Sequence, residues 1–208
     1  MTDDNIKTLK DDIAFLRALA QEGQRTPLLG GAIMVAAGLT FAVASLVQWA
    51  VVTGVLQVTQ WILPATWGTA LVVFLVTVRI IRMRMGGKPG ASSPGNRASG
   101  LAWAGVGWTI FTMATVLGIV CYRANSGIPM MVFPSLILAL YGLGWSVAAA
   151  MSKKGWIWGV AIGSYASALL AAWFATTPMV FLIYAGALIL LASLPGYVLM
   201  RQEPSDTI

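Results

Sequence analysis

Hydrophobic positions along this chain fall into six long runs separated by short polar stretches. Each run is about 20 residues, the length a helix needs to cross ~30 Å of hydrocarbon. The pattern places spans at Leu28–Val52, Trp61–Arg82, Leu101–Tyr122, Pro129–Met151, Trp156–Ala175 and Pro178–Met200. Backbone inside lipid must bond to itself, so spans of this length are helices; a barrel would show short alternating strands instead. Local signals support the ends. Thr26-Pro27 and Thr177-Pro178 read as N-cap followed by proline at the first helical position, and Pro129 opens span four in the same way. The expected fold is all-α: a polytopic six-helix bundle of three hairpins with a cytoplasmic N-terminal helix.

Before the first run, the pattern changes to that of an amphipathic helix over Asp3–Gln21. Ile6, Leu9, Ile13, Leu16 and Ala20 recur at spacings of three and four and form one apolar seam. The opposite face carries Lys7, Lys10 and Arg17 against Asp11, Asp12 and Glu22. A helix that lies on anionic lipid is usually Lys/Arg-rich there, so this face points to a protein partner or to the bundle's own cytoplasmic surface. Ile6, Leu9, Ile13 and Leu16 are the expected docking residues. The start of the chain is polar and acidic, unlike a cleavable signal or a transit peptide.

The domain organisation expected is a cytoplasmic helix (1–25), a first transmembrane hairpin (26–82), a Gly-, Pro- and Ser-rich cytoplasmic loop (83–100), a four-helix transmembrane region (101–200) and a short tail (201–208). Charge sets the orientation. Lys7, Lys10, Arg17, Arg25, Arg79, Arg82, Arg84, Lys88, Arg97, Lys153, Lys154 and Arg201 all fall on one side of a six-span arrangement, and Arg123 alone falls on the other. Positive loops stay inside, so both termini are expected in the cytoplasm of a cell bounded by a plasma (bacterial inner) membrane. The net charge of +6 therefore reports topology rather than nucleic-acid binding.

Composition then excludes chemistry. No acidic residue occurs between Glu22 and Glu203, and the chain has no histidine. Buried general bases, proton relays and His-ligated haem need those residue types. Cys121 is the only cysteine, so a CxxC or metal cluster is absent from the sequence. No catalytic residue, metal ligand or cofactor is expected, and the protein is read as not an enzyme.

What remains are contact surfaces. Gly159, Gly163, Ser167 and Ala171 repeat every fourth residue in span five, a smooth face for helix packing within the bundle or for an oligomer. Arg123 and Asn125, at the outer end of span three, are a lipid or anion contact, or an interfacial anchor. Gln48, Gln57 and Gln60 form a polar cluster around the first outer turn. Trp49, Trp61, Trp103, Trp156, Trp158 and Trp173 fall near span ends as an aromatic belt does, whereas Trp108 and Trp145 lie deeper, with an indole N–H needing a partner. Pro195-Gly196 in span six can bend the helix or free a carbonyl.

The function these features favour is a structural or accessory subunit of a membrane complex. Its partners would be membrane lipids and another membrane or cytoplasmic protein, or itself as a homo-oligomer; nucleic acid is not among them. Alternatives are a small transporter or channel for a neutral or lipid-like solute, and a membrane sensor acting through the N-terminal helix.

Overall fold

The computed structural model describes residues 12–13, 28–59, 61–85 and 93–203. Among these, all regular structure is helical, in the order α1 (Gly31–Val52), α2 (Ile62–Met85), α3 (Pro94–Ala124), a 3-10 turn (Ile128–Val132), α4 (Phe133–Ser152), α5 (Gly155–Trp173), α6 (Met179–Leu188), a π-helical turn (Ile189–Ser193) and α7 (Leu194–Gln202). The last three run on as one span, so six helices are long and apolar enough to cross a membrane. The chain is an integral membrane protein on that ground. Of the N-terminal amphipathic segment only Asp12 and Ile13 are described, both helical and exposed; Ile6, Leu9 and Leu16 lie outside the described residues.

Two of the helices, α1 and α5, bury faces made mostly of small side chains. The buried face of α1 is Gly31, Ala37, Gly38, Ala42, Ala44 and Ser45. That of α5 is Ile157, Ala161, Ser164, Ala168 and Ala171, at alternating spacings of four and three. Many large apolar residues point outward, among them Leu39, Val43, Leu46, Leu169 and Leu190, although Leu138, Trp145, Ile157 and Leu188 are fully buried. Lipid tails are as apolar as leucine, so a membrane bundle gains little by hiding large side chains. It gains by bringing backbones close, and small residues permit that.

Four spans carry most of the packing. α4 lies along α5, and α1 runs along the whole of α6, the π turn and α7. These two pairs meet where α6 touches α4 and α5. The remaining helices are peripheral. α2 rests on α1, α3 rests on α4 and the 3-10 turn, and almost none of either apolar stretch is buried.

The expectation that 83–100 is all loop is corrected at its end. Helix α3 begins at Pro94, because Ser93 caps it through a 3.3 Å bond from the Asn96 amide and Pro94 occupies the first turn. The early start moves Trp103 nearly three turns into the helix. It packs edge-on against Tyr141 and Trp145 of α4, at centroid distances of 5.4 and 5.3 Å, and so belongs to a helix interface rather than to an interfacial belt. Trp108, expected at depth, is 72% exposed on α3. It lies on the outward face of a helix that packs mainly against α4.

Candidate functional site

The densest polar arrangement lies at one end of the bundle, where the start of α1, the start of α3, the α4–α5 turn and the end of α7 converge. Helix α1 has no side-chain cap of its own; Gly30 precedes it with φ 105°, a left-handed conformation that suits glycine. Its free amides are satisfied from elsewhere in the chain. The Gly30 and Gly31 N–H groups donate to Glu203 Oε1 at 3.1 and 3.0 Å, and the Leu29 N–H donates to Asn96 Oδ1 at 2.9 Å. The last described residue of the final span thus caps the first span. A carboxylate there meets both the orphan donors and the positive end of the helix dipole. Glu203→Ala should therefore lower stability by about 1 kcal/mol, the usual worth of a cap. The readout is reversible unfolding in mixed micelles; an unfolding midpoint equal to wild type would show that the contact does not act as a cap.

Beside this cap, Lys154 Nζ donates to Gln202 Oε1, tying the α4–α5 turn to the end of α7. Partial burial holds the Lys154 amine below the usual lysine range. Lys153, next to it, adopts φ 55° and ends α4. Arg201 lies over the Tyr197 ring, 5.3 Å from its centroid.

Deeper in the bundle, polar groups serve as ties between helices. Ser45 Oγ, fully buried on α1, donates to the Phe181 carbonyl of α6 at 2.8 Å. Trp145, 1% exposed, donates its indole N–H to the Leu191 carbonyl at 2.8 Å. Leu191 sits four residues before Pro195, which has no N–H to offer it. The π turn at this point lets the Leu194 amide reach back five residues to Ile189. The freed carbonyl and the unpaired indole expected from the sequence are therefore partners of each other.

No family model, curated protein or solved structure matches this chain. The reading of the site rests on its own geometry.

The remaining sequence-predicted positions are scattered. Gly159 is exposed and faces open space. Gly163 faces Leu191 Cδ2, 3.0 Å from where its Cβ would stand. Ser167 is half-buried, and Ala171 lies in the core. The four thus turn gradually from the surface into the bundle. Asn125 takes the left-handed conformation (φ 48°) that ends α3, a backbone role that suits Asn, and Arg123 is exposed beside it. Gln48 Oε1 accepts from the Trp67 indole at 2.9 Å, tying α1 to α2. Gln57 instead lines a shallow open depression of about 510 Å³ in the α1–α2 connection, with Thr59, Trp61 and Ala65. Gln60 lies outside the described residues. Among the described residues, no three His, Cys, Asp or Glu side chains group in a way that could hold a metal.

The Glu203 cap was missed from sequence because its partners are separated by 173 positions and no local motif encodes it. One signal existed. Glu203 is the first acidic residue after Glu22, and an even number of spans returns it to the side on which span one begins.

Proposed function

We propose that this protein is a non-enzymatic structural or accessory subunit of a membrane complex. Both termini are cytoplasmic in this reading, and the membrane is the plasma (bacterial inner) membrane. The observation that carries it is the use made of the polar side chains. Ser45, Gln48, Trp67, Asn96, Trp145 and Glu203 each tie one helix to another. The polar groups work as architecture rather than as a path or a reaction centre. The peripheral helices support the same reading. α2 rests mainly on α1 and α3 mainly on α4, and each presents nearly its whole apolar length outward. Of the three expected hairpins, the first two pair α1 with α2 and α3 with α4, which leaves α2 and α3 as the outer members of each pair. A partner helix laid against either one adds the van der Waals contact that drives association in lipid. Small residues exposed on α5, Gly159 among them, and the seam of Ile6, Leu9, Ile13 and Leu16 offer two further contacts.

Extraction in mild detergent should recover the chain at a fixed ratio to a second membrane protein or to itself. Ile13→Asp with Leu16→Asp should lower that ratio while leaving insertion intact. A chain that elutes alone as a monomer and gives solute flux in liposomes would overturn the proposal in favour of a transporter.

A further inference from the structure

We propose that the π turn of the last span is a conformational device: contact with α1 holds it, and its release into α-helix turns α7 about its own axis. The hydrogen bonds of the turn show what it gives up. Along the spans, Thr66, Thr77, Thr109, Thr115, Ser146 and Ser164 each donate the side-chain hydroxyl to the carbonyl four residues back. For Ser193 that carbonyl belongs to Ile189, which in the π turn accepts from the Leu194 amide. Ser193 Oγ is buried and has no hydrogen-bond partner among the described residues. The Leu190 carbonyl is deprived as well. Its α-helical donor is the Leu194 amide, committed to Ile189, and its π-helical donor is residue 195, a proline without an N–H. An α-helical turn returns the Leu194 amide to Leu190 and lets Ser193 bond to Ile189 as the other hydroxyls bond.

Local bonding therefore favours α-helix here, and an unfavourable backbone of this kind persists only where its surroundings enforce it. The enforcing contact is α1. Gly38 lies against Ser193 Oγ, the Ser193 amide and the Leu188 carbonyl, so α1 grips both ends of the turn. Gly196, just beyond, packs on Gly31 and Met34 of the same helix. A π turn holds one residue more than an α turn, so losing it advances α7 by about one residue, ~100° of rotation and ~1.5 Å of rise. Buried Leu199 then takes the direction of exposed Met200, and half-buried Val198 takes that of Leu199. Gly196 leaves the seam for the exposed direction of Tyr197. Separation of α1 from the turn is thereby converted into a new face presented by α7. The device belongs to the bundle itself and does not depend on a protein partner, so failure of the co-purification above leaves it standing.

The test is maleimide labelling of the full chain in detergent, in a Cys121→Ser background, at Leu199→Cys and separately at Val198→Cys. Gly38→Ala is the trigger, because its methyl group claims the space of the Ser193 hydroxyl. It should raise the labelling rate at 199 about tenfold and lower that at 198 about twofold, as a shift from a minor to an equal population of the α form requires. Adding Ser193→Ala should reverse both changes, since it removes the overlap and the hydroxyl that gains a bond. Unchanged rates at both positions overturn the proposal. So does a rise at both, which is fraying of the span and not rotation. Where Leu199→Cys does not fold, Val198→Cys carries the test alone: a fall supports rotation, and a rise or no change overturns it. Where Gly38→Ala does not fold, Ser193→Ala alone should slow labelling at 199 about fivefold, the worth of one hydrogen bond withdrawn from the α form. An unchanged rate there overturns the proposal as well.

Discussion

Gly38→Ala should destabilise the bundle by about 2–3 kcal/mol, the upper part of the range for overpacking a tight core. Gly38 is buried on α1, against the π turn of the last span. A Cβ at this position would overlap Ser193 Oγ and stand 2.8 Å from both the Leu188 carbonyl oxygen and the Ser193 amide nitrogen. Two of the three obstacles are backbone, so no rotamer change relieves them. The same seam continues one end further. A Cβ on Gly196 would lie 2.6 Å from Met34 Cβ and 2.8 Å from the Gly31 carbonyl oxygen. Gly196→Ala should therefore cost a similar amount. Gly159→Ala is the control, because its Cβ would meet nothing within 4 Å. In mixed-micelle unfolding, the two seam variants should lose stability while the control stays within ~0.5 kcal/mol of wild type. A Gly38→Ala protein as stable as the control would mean that α1 and the final span do not approach this closely.

That seam shows what the sequence could and could not disclose. Span number and approximate ends were legible, because run length is fixed by bilayer thickness and needs no knowledge of neighbours. Which helices touch was not. Gly159, Gly163, Ser167 and Ala171 make the more regular small-residue repeat, yet Gly31, Gly38 and Gly196 make the closest approach. Their spacing of seven on α1, matched to one glycine on a distant helix, has no period that one segment reveals. Spacing finds a smooth face but not what faces it. The start of α3 was legible in Ser93-Pro94 and was overlooked because the polar composition of the preceding residues suggested a longer loop. The Glu203 cap depends on two ends of the chain meeting, and only the count of spans hinted at it. By contrast, the pairing of Trp145 with the proline-disrupted helix was half visible. Each partner could be named from its chemistry, and the structure supplied the match.

Trp145→Phe should cost about 2 kcal/mol, and much of that cost should disappear when Pro195 is also replaced by alanine. The indole N–H is the donor to the Leu191 carbonyl at 2.8 Å in a side chain that is 1% exposed. Removing it leaves a part-buried carbonyl short of that partner, a loss of roughly 1–3 kcal/mol, although hydrogen bonds between membrane helices average nearer 0.6 kcal/mol. The smaller phenyl ring also withdraws contact from Trp103, which packs edge-on at 5.3 Å. Those packing losses are independent of Pro195, but the carbonyl's loss is not. Leu191 lacks an α-helical donor because residue 195 is proline, so Pro195→Ala restores an N–H four residues on. In that background the Leu191 carbonyl no longer needs the indole. A double-mutant cycle should return a coupling of about 1 kcal/mol, well above the ~0.3–0.5 kcal/mol scatter of independent sites. Additive costs would show that the π turn satisfies the Leu191 carbonyl by itself and that Trp145 contributes packing alone. Coupling of the expected size would make the bond the tie by which α4 holds the span with the π turn in place. Trp145 and Pro195 would then be a single structural device contributed by two helices.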